Sequence, residues 1–120
     1  MKIFILGDEE YRHHAITERY EGCQFVRAYN VTDAIAKLEE GPYDIACLDH
    51  SLGDWYIDNE KDEIRERTGL DVVNHLIEKV EPTKWPRQVV VHSWNGTCGR
   101  LMAKLLEAAG VAATYQPFAA

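Results

Sequence analysis

The sequence predicts an α/β fold built on one parallel sheet of five strands, with helices on both faces. Five short apolar runs alternate with four longer segments of helical spacing. Such alternation yields parallel strands joined by right-handed crossovers. Two of the runs, Tyr43–Leu48 and Gln88–Val91, are nearly continuous rather than alternating, as in strands buried on both faces. Each leaves the core on chemistry-bearing residues, Asp49-His50 in one case and His92-Ser93 in the other.

Lys2 to Leu6 reads as the first strand, and Gly7-Asp8-Glu9-Glu10 leaves it. Tyr11 to Tyr20 has helical spacing behind an acidic entry, which suits the positive end of a helix dipole, and Gly22 ends it. Gln24 to Ala28 is a second strand. Asn30 then caps a helix through Glu40, with Val31, Ala34, Ile35 and Leu38 as its apolar stripe and Gly41-Pro42 as its stop. The third strand follows. Ser51 to Arg67 is the longest irregular stretch, dense in mixed charge and carrying Trp55, Tyr56 and Ile57. Irregular segments of that length inside a domain are commonly lids or inserts. The expectation is a mobile lid with Trp55 or Tyr56 closing over a ligand.

Thr68 caps the next helix, with Leu70, Val73, Leu76, Ile77 and Val80 at helical spacing, and Glu81-Pro82 ends it. Strand four is Gln88 to Val91. Asn95-Gly96 turns into a helix from about Cys98 to Ala109, closed by Gly110, and Val111 to Tyr115 is the last strand. Five strands in this alternation fit the flavodoxin-like order 2-1-3-4-5, with no helix predicted after strand five. In that order ligands bind outside the carboxyl ends of the strands. Asp8, Glu9, Asp49, His50, His92, Ser93 and Asn95 all fall at that rim.

Composition narrows the function. The 120 residues read as a single domain, 1–120, and carry 13 Lys and Arg against 20 Asp and Glu, a net charge of −7. That balance argues against binding to bulk DNA or RNA, which needs a basic footprint, but leaves room for a small nucleotide or an RNA end. No apolar stretch approaches the roughly 18–20 residues needed to cross a bilayer. Cys23, Cys47 and Cys98 show no C-x-x-C spacing, which points to reduced thiols and a cytoplasmic setting.

Two histidines at the exits of adjacent strands suggest acid–base chemistry, because free histidine titrates near about pH 6.5. The expected catalytic set is His50, His92 and Asp49. Ser93, Asn95, Asp8 and Trp55 are the expected substrate-binding residues, with Arg12 and Arg100 as further phosphate partners. Asp8, Glu9 and Asp49 are an oxygen-rich candidate set for a divalent metal, although no cofactor is required by the two-histidine scheme. His13 and His14, adjacent on a helix, point in different directions and make a poor chelate.

These landmarks resemble a response-regulator receiver domain over nearly the whole chain. Asp8 and Glu9 match its acidic pair, Asp49 its phospho-acceptor and Ser93 its hydroxyl residue, while Gln116 stands where a receiver carries lysine before Pro117. The closer resemblance is to the cyclic-phosphate processing receiver domains. It rests on Leu48-Asp49-His50-Ser51-Leu52-Gly53, Thr68-Gly69-Leu70-Asp71-Val72-Val73 and Val91-His92-Ser93-Trp94-Asn95. That resemblance implies a phosphoesterase acting on a cyclic nucleotide or a 2′,3′-cyclic phosphate RNA end. The alternative is a non-catalytic receiver-like module that sequesters a nucleotide or binds a partner protein. A sheet face left half covered after strand five would further expose apolar side chains, from which a homodimer is expected.

Overall fold

A computed structural model describes residues 1–118. In chain order the elements are β1 (Lys2–Leu6), α1 (Glu10–Arg19), β2 (Gln24–Ala28), α2 (Val31–Leu38), β3 (Ile45–Leu48), β4 (Asp54–Asp58), β5 (Glu63–Arg67), α3 (Gly69–Lys79), β6 (Gln88–Val91), α4 (Gly96–Ala109) and β7 (Ala113–Tyr115). A single 3₁₀ turn, Pro82–Lys84, precedes β6. The main sheet runs β2-β1-β3-β6-β7 with every pairing parallel, which is the predicted order once β4 and β5 are set aside.

Alternation along the strands divides the core. Phe4, Leu6, Ala46, Leu48, Val89 and Val91 pack with Leu38, Val72, Leu76, Met102 and Leu106 of the three helices α2, α3 and α4. Ile3, Ile5 and Cys47 pack on the opposite face against Ile16 of α1. Local capping fixes where the helices begin. The Asn30 side chain accepts from Asp33 N at 2.8 Å, and Asp54 Oδ2 accepts from Val31 N at 3.0 Å. Thr68 and Asp71 form a reciprocal capping box on α3, a device worth about 1 kcal/mol. Gly110 ends α4 with φ of 101°, a left-handed conformation that a side chain resists.

The structure departs from the sequence reading in two places. Residues 51–67 are not an irregular loop, because β4 and β5 pair in antiparallel register, Ile57 opposite Ile64. The charged residues that suggested irregularity alternate along this ribbon. Asp58 and Arg65 lie on one face with Tyr56, over whose ring Arg67 sits at 4.4 Å. Arg67 also donates to Thr32 Oγ1 at 3.3 Å, so the ribbon leans on the start of α2. Its other face presents Trp55, Ile57 and Ile64, which are 61%, 68% and 71% exposed.

The apolar patch expected on the α1 side of the sheet is also not found among the described residues. Ile3, Ile5, Cys47 and Val90 are buried there, and Pro117 and Phe118 fold back beside Val90 and His92. The homodimer expected through that face therefore loses its stated basis. No helix among the described residues is long and apolar enough to cross a membrane.

A candidate site at the carboxyl rim of the sheet

β1, β3 and β6 deliver their following residues to one rim. The β3–β6 ladder pairs Leu48 with Val91 and continues one step, with His92 N donating to Leu48 O at 2.9 Å, while on the β1 side Asp49 N donates to Leu6 O at 3.1 Å. Asp49 and His92 are therefore level with each other and share the parity of Cys47 and Val90, the α1 side. From the first turn of α1, Arg12 reaches this level. Its Nη1 lies 2.9 Å from Asp49 Oδ2 and donates to the His92 carbonyl at 3.2 Å, while its Nε is 3.7 Å from Glu9 Oε1. The Trp94 and Phe118 rings cover the guanidinium at 4.7 and 4.9 Å.

A cleft of about 210 Å³ opens above this pair. Of the residues anticipated from sequence, Asp8, Glu9, Arg12, Asp49, Ser93 and Asn95 line it, together with Ser51, Gly53 and Trp94. Ser93 and Asn95 belong to the turn that starts α4. Asn95 Oδ1 accepts from Cys98 N at 3.1 Å, and Ser93 Oγ accepts from Asn95 N at the same distance. Arg100 stands away from the cleft, over the Tyr115 ring at 5.3 Å. Trp55 does not line the cleft either. The aromatic side chain at its edge is Trp94, which is 58% exposed and donates from Nε1 to Phe118 O at 2.6 Å.

The expectation that His50 and His92 flank one phosphorus does not survive the register. They are one step out of phase, and successive residues leaving a strand face opposite ways. His50 Nδ1 lies 3.3 Å from Ser51 Oγ, and burial lowers its pKa while Glu66 and Asp71 pull it up. His92 is turned to the α1 side and 5% exposed, and among the described residues neither ring nitrogen has a hydrogen-bond partner of good geometry, although the Leu6 and Cys47 backbone lies close enough to act on the ring. His13 is fully buried and its Nε2 meets Gly7 O at 2.8 Å, a structural contact. His14 stays on the surface with Glu18.

Burial dominates the electrostatics. It pushes the Asp49 carboxyl up to about 6, outweighing Arg12 and the His50 N–H bonded to Oδ1 at 2.8 Å. It also lowers His92 to about 4, with Arg12 adding to the effect. The two groups bend the stability curve in opposite directions. His92, depressed from 6.5, contributes stability that is present above pH 6.5 and lost as pH falls toward 4. Asp49, raised from 3.8, contributes stability that is present below 3.8 and lost as pH rises toward 6. Each effect is about 3 kcal/mol at full extent. Between about pH 4 and 6 they offset. Urea melts across this window should show Asp49→Asn losing stability relative to wild type as pH falls, and His92→Phe gaining it. Parallel curves for all three proteins would show that neither group is buried in the stated charge state.

The candidate metal set does not fit. Among the described residues, no three His, Cys, Asp or Glu side chains are placed to hold a metal ion. Asp8, Glu9 and Asp49 line one cleft without converging, and the Arg12 guanidinium already supplies the positive charge against Asp49.

The model of the family described as "Cyclic-phosphate processing Receiver domain" matches residues 2–108. The chain belongs to this family. Among solved structures it is similar to a response regulator from Burkholderia pseudomallei crystallised with a phosphorylated aspartic acid, calcium ion and citrate. That likeness has a TM-score of 0.66 at 14% identity, over 98% of this chain and 61% of the other. The BeF₃-activated N-terminal receiver domain of Klebsiella pneumoniae RstA gives a TM-score of 0.67 at 14% identity, covering 100% of this chain and 87% of that one. Thermotoga maritima TrrA in complex with Mg²⁺-BeF gives 0.64 at 18% identity, over 99% and 86%. At such identities the likeness speaks for the fold. The chain spans less than two thirds of the Burkholderia protein. No curated protein matches the chain.

The resemblance read from the three motifs therefore holds at the level of family and fold. Sequence reasoning did not anticipate the Arg12–Asp49 pair or the position of Trp94. Arg12 stands three residues after Glu9 on the first helical turn, a spacing that brings side chains together, but nothing local shows that it turns inward. Trp94 sits inside a quoted motif, between two residues already assigned to the site.

Proposed function

We propose that this receiver-like domain binds a cyclic phosphate in the rim cleft and opens it by acid–base chemistry centred on Asp49. The observation that carries this reading is a buried carboxyl held near pKa 6 beside a guanidinium, at the floor of a cleft edged by hydroxyl and amide groups. The family's description as cyclic-phosphate processing supports the substrate class.

Arg12 is the positive group for the phosphate's non-bridging oxygens, and the Ser93 hydroxyl and the Asn95 amide supply further donors. A water oxygen adds to phosphorus and one ring P–O bond breaks. The freed oxygen takes a proton from protonated Asp49, and the water's proton passes to a carboxylate at Asp8 or Glu9. One water is consumed and a monoester results.

The test is a panel of 2′,3′- and 3′,5′-cyclic nucleotides incubated with the protein, with and without EDTA. Turnover of at least one class, surviving EDTA, is the expected result. In the same assay Arg12→Met should weaken binding by roughly 10- to 100-fold, the value of a charge-assisted hydrogen bond. Tight binding without turnover would move the domain to nucleotide sequestration, and no binding of any cyclic phosphate would end this reading.

A further inference from the structure

The rim cleft has room for part of a nucleotide only. Its volume of about 210 Å³ falls below the roughly 300–1,000 Å³ of pockets that enclose a whole drug-sized ligand. A cyclic phosphate with its sugar fills such a space, and a base attached to that sugar is left at the mouth.

Trp94 stands at that mouth. Among the described residues that line the cleft it alone is aromatic. The Arg12 guanidinium covers one face of the indole at 4.7 Å, and the Nε1 edge is tied to Phe118 O at 2.6 Å. The residue is nevertheless 58% exposed, so the open surface belongs to the opposite face and the far edge of the ring. Its neighbours in the chain are fixed as well. Tyr115 OH donates to Ser93 O at 2.7 Å, and Asn95 Oδ1 accepts from Cys98 N at the start of α4. A flat apolar face is thus held in one orientation before any ligand arrives, and binding against it costs little further side-chain entropy.

Shielding Arg12 does not by itself account for this arrangement. One indole face serves that purpose, and a leucine would serve it while leaving less apolar surface in water. The other two tryptophans make the contrast. Trp85 packs against the core and donates to the Leu76 and Val80 carbonyls, whereas Trp55 is open on the ribbon but away from the cleft.

We infer that the open face of Trp94 is a base subsite: the base of a nucleotide stacks on it while the cyclic phosphate lies in the cleft at Arg12. This rests on the reading of the rim cleft given above. The stack needs no hydrogen-bond readout, because every base has a π face. Selection is by ring area, so a purine, which covers more of the indole, binds ahead of a pyrimidine.

The experiment compares ribose 2,3-cyclic phosphate, which has no base, with uridine and adenosine 2′,3′-cyclic phosphates. Affinity is measured by calorimetry, or kcat/KM where the ligand is turned over. The wild type should favour the adenosine ligand over the abasic one by about 10- to 100-fold, the range that one stacked base contributes, with uridine between them. Trp94→Leu, which keeps an apolar cover over Arg12, should erase that ratio, and Trp94→Phe, with a smaller ring, should retain part of it. Fluorescence gives a second readout. In a Trp55→Phe background the emission comes from Trp85 and Trp94. The adenosine ligand should quench it where the abasic ligand does not, and Trp94→Phe should remove the quench. An unchanged ratio in Trp94→Leu, or a wild-type ratio of one or less, overturns the inference and leaves the cleft reading intact. Failure of the wild type to bind any of the three ligands overturns both. If Trp94→Leu does not fold, absence of the quench overturns the inference by itself.

Discussion

Asp49→Asn is expected to lower turnover of a cyclic phosphate by 10²- to 10⁴-fold, on the order of what removal of a positioned acid–base group costs. Asparagine matches the shape of aspartate but has one acceptor oxygen, so it keeps the contact with Arg12 only by turning its amide nitrogen toward His50 N, and an unchanged circular dichroism spectrum checks that the fold persists. What the amide cannot do is carry a proton. Burial holds the carboxyl at about 6 in the free domain, so a useful fraction is protonated just below neutrality. If Asp49 is the acid, kcat/KM falls as pH rises through its pKa. The alkaline limb should therefore sit near 6 and vanish in Asp49→Asn. A variant that keeps a tenth of wild-type turnover would remove Asp49 from the chemistry. The same assay on His50→Ala bears on the remaining histidine at this rim. A loss as large as that of Asp49→Asn would return catalysis to His50.

Gly69→Ala should be the most destabilising single-methyl change at the site. A Cβ at this position would lie 1.9 Å from the Asp49 carbonyl oxygen and 2.8 Å from Met102 Cε. Methionine can yield, but the Asp49 backbone cannot, because it is held in the ladder by Leu6 on one side. Gly69 N donates to His50 O at 2.8 Å, so the start of α3 is fastened directly to the exit of β3. Moving α3 outward breaks that contact and tilts Asp49 away from Arg12. The expected cost is about 3 kcal/mol, a melting point lower by roughly 10 °C, with reduced turnover in the protein that remains folded. A thermal melt displaced by less than about 2 °C would mean that the two backbones separate freely, and that this contact does not set the position of Asp49.

The elements of this domain were legible because their signals are local. The apolar runs of β3 and β6, the Asn30 and Thr68 caps and the Gly110 stop each act within a few residues, and together they dictate a parallel sheet whose carboxyl rim gathers Asp8, Glu9, Asp49, Ser93 and Asn95. The motifs around Asp49, Thr68-Gly69 and His92 were enough to indicate the family. The β4–β5 ribbon was missed because its alternation is of charge against apolar on a face turned to solvent, where composition reads as loop.

Tertiary structure alone decided which rim residues face one another. Sequence places His50 and His92 at equivalent strand ends, but a one-residue offset in the β3–β6 register reverses the side on which a side chain emerges. That offset sends His92 to the α1 side of the sheet and sets Asp49 level with it, within reach of an arginine 37 positions earlier in the chain. The charge states follow from the same cause. A carboxyl near 6 and a histidine near 4 are products of burial, which no residue carries in its own identity and which only the packing of α1, Trp94 and Phe118 against the sheet creates.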